Sequence, residues 1–154
     1  MIEARRRREL PRAECLRLLG EVPIGRVVFT QRALPAVRPV NHVIEADRII
    51  IRASLGTAIS PEATGDSGTV VAYEADLIDP EACLGWSVVV VGRAAHVKDE
   101  AEIVRYQLAL RPWATAEMDH IIEIRADLVT GFRLVPESEP QAGPETRQAA
   151  NPVG

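Results

Sequence analysis

The sequence predicts a mainly β domain with peripheral helices, built on about six antiparallel strands closed or split into a barrel. Three observations carry that expectation. Short β-branched runs recur along the chain, among them Val27-Val28-Phe29, Ile49-Ile50-Ile51 and Val88-Val89-Val90-Val91, each bounded by turn-forming residues. The connections between neighbouring runs are of hairpin length, the tightest being Glu45-Ala46-Asp47, which favours antiparallel partners. Only two segments carry a helical period, too few for a doubly wound parallel sheet.

Taken in order, residues 1–10 contain the Arg5-Arg6-Arg7-Arg8 run and read as a flexible N-terminal arm. From Pro11, the residues Cys15, Leu18, Leu19 and Val22 fall at i, i+3, i+4 and i+7, an apolar helical stripe that Gly20 and Pro23 terminate. A first strand spans 24–30. A second spans 35–44 with Pro39 inside it, and a third spans 48–52. Because proline cannot donate to a central ladder, Pro39 marks an edge, a bulge or an opening of the sheet.

Residues 54–58 then make a loop and a short helical turn, cut off by Pro61 and Gly65. Strands are expected at 69–77 and 86–97. Asp99 with Glu102 forms a capping box that opens a second helix, for which Ala101, Val104 and Leu108 supply the expected buried stripe. Strand pieces at 120–125 and 129–135 close the domain, so its bounds are 11–135. Residues 136–154 hold four prolines without apolar periodicity, which predicts a disordered tail.

Composition narrows the function. The 154 residues suffice for one domain with a real core. A formal net charge of −4 opposes broad nucleic-acid binding. No apolar run approaches the roughly 20 residues of a membrane helix. No signal peptide follows the arginine run, and cytoplasmic localisation is expected. Cys15 and Cys83 read as reduced thiols. His42, His96 and His120 lack ligand spacing, so no metal site is expected. Of 18 basic residues only Lys98 is a lysine, so an anion site here must use arginine forks, hydroxyls and backbone N–H groups. The stretch 35–60, a hairpin feeding a hydroxyl-bearing loop, is the natural place for one.

Several motifs together resemble the pyridoxamine 5'-phosphate oxidase-like, FMN-binding split-barrel superfamily. They are GRVVF at 25–29, PVNH at 39–42 followed by IIIRAS and GTA, GWSVVVVGRA at 85–94 and the closing VTGFRL. The resemblance implies a six-stranded antiparallel split β-barrel, a homodimer, and FMN in a groove between subunits. It implies that Pro39, Val40 and Asn41 lie along the isoalloxazine, with His42, which follows that strand motif, as a further cofactor-binding residue. Arg52, Ala53, Ser54 and Thr57 would take the phosphate end, and Trp86 and Ser87 would line the same groove. It further implies a flavoprotein oxidoreductase passing hydride or electrons between a reduced donor and a small-molecule acceptor, with no acid–base pair of its own.

Two departures keep alternatives open. Many relatives carry lysine where this chain has Ala58, so the phosphate site is weaker by one cation unless Arg26, Arg93 or Arg133 compensates, and the deazaflavin F420 is the alternative cofactor. Phe132 stands where relatives often have arginine, which leaves room for a non-catalytic flavin carrier or sensor. The chain also lacks the C-terminal arginine and histidine segment of true pyridoxamine phosphate oxidases, so that oxidation is not expected.

Overall fold

A computed structural model describes residues 3–55, 59, 68–112 and 120–141. Thr57, Ala58, Trp113 and the tail from 142 onward lie outside the described residues. The elements are β1 (Arg5–Glu9), α1 (Arg12–Glu21), β2 (Ile24–Gln31), β3 (Leu34–Glu45) and β4 (Arg48–Ala53). After them come β5 (Thr69–Asp79), β6 (Leu84–His96), α2 (Glu100–Ala109), β7 (His120–Arg125) and β8 (Leu128–Pro136).

The strands form one antiparallel sheet in the order β1-β8-β6-β5-β2-β3-β4-β7, and a further β6–β7 pairing closes β2 to β7 into a six-stranded barrel. The expected split barrel is thus present, with β8 and β1 added outside the ring. Strand β6 makes this possible. Its Gly85–Val91 half pairs with β8, whereas Ala94, Ala95 and His96 pair with β7 along the same edge. Gly92 sits between the two halves, where a Cβ would lie 1.6 Å from the Arg125 carbonyl oxygen, so only glycine lets the β7–β8 corner come this close.

The arm expected at residues 1–10 is instead largely strand β1, paired with β8 from Arg5–Pro136 to Glu9–Phe132. Its arginines are held by the body of the protein. Arg5 donates to the Ala82 carbonyl at 3.1 Å, Arg6 donates to the Glu139 carbonyl at 2.7 Å, and Arg7 lies 4.4 Å over the Phe132 ring. A run that reads as solvated charge therefore edges the sheet, as charged side chains commonly do.

Alternation fills the barrel. Val27, Ile49, Ile51, Tyr73, Val88, Val90, Ile122 and Ile124 all point inward and are fully or nearly fully buried, each burial contributing about 1.5–3 kcal/mol for the aliphatic side chains. Helix α1 adds Cys15, Leu18 and Leu19 to the same core, as its periodicity predicts.

Helix α2 covers the outer face of β4 and β7, and the stripe it buries is not the expected one. Val104 and Leu108 are 57% and 80% exposed, while Ile103, Tyr106 and Leu110 pack with Ile50, Val97 and Ile121. Tyr106 decides the rotation. Its hydroxyl donates to Glu45 at 2.6 Å and accepts from Arg48 at 3.2 Å, and Arg48 also reaches Glu123 at 2.6 Å and Glu102 at 3.1 Å. Bonding to Glu123, then to Glu102, raises the Arg48 pKa and keeps the guanidinium charged, while Arg105 and the Tyr106 hydroxyl lower that of Glu45. The capping half of the expected box is present, with the Asp99 carboxylate accepting from the Glu102 N–H at 2.9 Å.

Candidate functional site

The ligand cradle expected at 35–60 begins in the β3–β4 hairpin, and strand parity divides its residues. Val40 and His42 face the barrel interior, 6% and 5% exposed, whereas Pro39 and Asn41 face outward. Pro39 pairs with Arg26 of β2, and β4 joins the other edge of β3 only from His42 onward, so the proline sits where that edge is open.

His42 is a core residue, buried and with both ring nitrogens hydrogen-bonded inside the protein. Its Nε2 is 2.7 Å from the Leu19 carbonyl, which can only accept, so Nε2 carries the proton and donates. Its Nδ1 then accepts from the Tyr73 hydroxyl. Burial holds the imidazole pKa below its ordinary value and drives the Tyr73 phenol up, so both stay neutral at physiological pH. This chain of bonds joins α1 to the barrel wall.

Asn41 and Arg52 meet on the outer face, at the C-terminal end of α2. Arg52 donates to the carbonyls of Leu110 at 3.1 Å and Gln107 at 3.3 Å, and Asn41 Nδ2 donates to the Arg111 carbonyl at 3.1 Å. The last carbonyls of a helix lack intrahelical partners and carry partial negative charge. Helix α2 has no basic residue in its last turn, so the strand supplies the cation. Ala53 is buried opposite His120, and Ser54 is exposed just beyond it.

Arg38 lies outside every motif named above. It stands on the rim of the barrel, 5.7 Å over the Phe29 ring, and its Nη1 donates to the Ser54 carbonyl. Of the arginines expected to stand in for a lysine at Ala58, Arg26 pairs with Glu74 at 3.4 Å and Arg133 with Glu14 at 3.6 Å. Arg93 lies on β6 opposite Val70. Counting along the hairpin could have found Arg38, since its parity matches the rim-facing end of the Val40 and His42 face.

Trp86 and Ser87 lie elsewhere on the barrel. Asn41 pairs with Ile24 on β2 and Ser87 pairs with Asp76 on β5, so the two regions are three strand spacings apart, about 14 Å. Trp86, 3% exposed, floors a cleft of about 500 Å3 between α1 and the β5–β6 hairpin, rimmed by Arg17, Glu21, Leu77, Ile78 and Arg133. Its guanidiniums are matched by carboxylates, Arg17 with Glu21 and Arg133 with Glu14.

Between these regions the outer sheet face presents an apolar row, Val37-Val28-Ala72-Val91-Leu128, each residue directly opposite the next across five strands. Its ends are open, with Val37 58% and Leu128 59% exposed. The next row holds Arg26 and Glu74. Burial first, then the hydrogen bond and charge of Asp76, push the Glu74 carboxyl up to about 7 in spite of Arg26.

Among the described residues no three His, Cys, Asp or Glu side chains gather as a metal site would require, and no helix is long and apolar enough to cross a membrane. Two histidines do meet: the rings of His96 and His120 lie 4.7 Å apart.

Comparison with known proteins agrees with the fold. A family profile described as pyridoxamine 5'-phosphate oxidase matches residues 11–137. The uncharacterized protein Rv0080 of Mycobacterium tuberculosis is 48% identical over 132 residues, covering 84% of this chain and 87% of its own. Among solved structures, the FAD binding protein from Mycobacterium smegmatis is 32% identical with a TM-score of 0.64, covering 82% of this chain and 97% of that one. DIP1874, a conserved protein of unknown function from Corynebacterium diphtheriae, is 26% identical with a TM-score of 0.65, covering 84% and 98%. With the motifs in order on a six-stranded barrel and the profile spanning helix α1 and all strands from β2 to β8, the chain belongs to the pyridoxamine 5'-phosphate oxidase family.

Proposed function

We propose that this protein is a homodimeric flavin-dependent oxidoreductase that holds FMN by its phosphate at the end of β4. The observation that carries the reading is the placement of two guanidiniums at the start of the hydroxyl-bearing segment 54–57, Arg52 on β4 just before it and Arg38 on β3 bonded to the Ser54 carbonyl. Arginine forks match phosphate oxygens in geometry as well as charge, so this donor set fits the group. FAD contains the same riboflavin phosphate, and the M. smegmatis relative is described as an FAD binding protein.

Pro39 and Asn41 lie on the outward side of the same hairpin as ring contacts. Val40 and Ala53 support it from within, and His42 holds the wall behind it. Trp86 and Ser87, about 14 Å away in one protomer, come to a flavin only across a subunit boundary. The apolar row on the outer face is the surface that a second copy would cover. The bound flavin supplies the hydride and electron chemistry, and the protein binds and orients it. F420 is the second reading, kept open by Ala58, where many relatives carry lysine.

The test is titration of the purified protein with FMN and with F420, followed by a steady-state assay of NAD(P)H oxidation and light scattering for mass. The expected result is a dimer that binds FMN, turns over, and loses affinity at least about tenfold in Arg38→Gln, one charged contact being worth about 1.5–3 kcal/mol. F420 binding without FMN binding selects the second reading, tight flavin binding without turnover selects a carrier, and uptake of neither overturns the proposal.

A further inference from the structure

The three histidines are far apart in sequence, yet β6 and β7 bring two of them to one mouth of the barrel. His96 ends β6 and pairs with Ile122, so His120, two residues earlier on β7, is its diagonal neighbour on the same face. Diagonal positions on paired strands lie about 7–8 Å apart, within reach of imidazoles. The ring centroids are 4.7 Å apart and the planes meet at 60°, so the rings stand edge to face and do not stack.

We propose that His96 and His120 chelate a divalent transition-metal ion of the borderline class, such as Zn2+, Ni2+ or Cu2+. Three features of the pair point that way. The first is tautomer control: His96 Nε2 lies 2.6 Å from the Ile59 carbonyl, which can only accept, so Nε2 is the protonated nitrogen. The neutral ring then offers its Nδ1 lone pair, and a carbonyl on the far nitrogen is the usual outer support of a metal-bound histidine. The second is spacing. With metal–nitrogen bonds of about 2.0–2.1 Å, each ring centre stands about 3.2 Å from the ion, which puts two centres about 4.5 Å apart at a right angle and about 5.2 Å apart at the tetrahedral angle. The observed 4.7 Å falls between these limits. The third is access, because His120 is exposed and His96 only half-buried, so an ion enters without opening the core.

No third His, Cys, Asp or Glu stands with them among the described residues. Imidazole nitrogens select zinc, copper and nickel over calcium and magnesium, which require oxygen ligands. His120 is paired opposite Ala53 at the end of β4, and zinc binding to the two rings can be read without a flavin.

Titration of the untagged full chain with ZnCl2 against a chromophoric zinc chelator tests this, with the histidine ring resonances followed by NMR. One equivalent is expected to bind, shifting the His96 and His120 signals and leaving that of His42 in place. His120→Ala, at an exposed position, is expected to weaken binding at least about tenfold, the lower end of what is lost when such a site is disturbed. Affinity in His120→Ala equal to that of the wild type overturns the proposal, as does zinc uptake that moves neither ring. Should His96→Ala disturb the fold through its lost bond to the Ile59 carbonyl, the His120 variant still decides.

Discussion

Removing the Tyr73 hydroxyl isolates one polar contact inside an otherwise apolar barrel. Tyr73 is fully buried, and its hydroxyl donates to His42 Nδ1 while His42 Nε2 donates to Leu19 on α1. Tyr73→Phe keeps the ring and its packing but leaves a buried nitrogen lone pair without a donor, which costs about 1–3 kcal/mol. For a chain of this size that lowers Tm by about 2–12 °C. His42→Leu orphans both the phenol and the Leu19 carbonyl and is expected to cost more than Tyr73→Phe. The double variant removes both side-chain partners, so its loss falls short of the sum of the single losses by about 1–3 kcal/mol.

The pH dependence follows from the same burial. The folded imidazole has a pKa below its ordinary value, so the unfolded chain takes up its proton first as pH falls through about 6.5. Stability is therefore lost on acidification from about 7, with a slope of at most about 1.4 kcal/mol per pH unit from this group, and is unaffected above. Urea titrations of wild type and variants at pH 7.5 and pH 5.5 measure both effects. A Tyr73→Phe change below about 0.5 kcal/mol, or an unaltered acid slope in the His42→Leu/Tyr73→Phe chain, would refute the reasoning.

Two backbone positions give further expectations. Gly92→Ala places a Cβ 1.6 Å from the Arg125 carbonyl oxygen, a backbone atom with no rotamer to move, so a loss of about 3 kcal/mol or more is expected in urea unfolding; a loss under about 1 kcal/mol would mean that the β7–β8 corner yields. The two-residue β2–β3 turn holds Arg32 at φ 51° and Ala33 at φ 62°, a left-handed pair that costs about 1–2 kcal/mol per non-glycine residue. Ala33→Gly, offset by the extra freedom of glycine in the unfolded chain, is expected to raise stability by about 0.5–1 kcal/mol in a thermal melt.

Legibility in the sequence followed the range of the interactions. The β-branched runs of β2, β4 and β6 and the hairpins between them are local, and they stand where expected. Strand β1 was hidden because four arginines show no alternation of polarity; what holds them, the Ala82 and Glu139 carbonyls and the Phe132 ring, is 50 or more residues away in sequence. The face of α2 was misjudged because Val104 with Leu108 and Ile103 with Tyr106 and Leu110 are both plausible stripes. The choice rests on a polar group, the Tyr106 hydroxyl, meeting Glu45 and Arg48. The meeting of His96 and His120 depends on the β6–β7 closure, which no local spacing encodes.

Within the candidate site, strand parity carries more information than motif membership. Val40 and His42 share a parity, and a residue two along from a core valine on a barrel strand points into the core whatever motif surrounds it. Arg52 shares its parity with Ile50, which packs under α2, and so the arginine emerges at the end of that helix, where carbonyls need a donor. Arg38 is set apart by position: two residues before Val40, its side chain leaves the interior at the rim and reaches Ser54. Substituting Arg52 therefore disturbs the attachment of α2 together with any anion held beside it. Substituting Arg38 removes a contact to an exposed carbonyl and the guanidinium over Phe29 but leaves α2 attached, so a change in ligand affinity in that variant reports on the cradle itself.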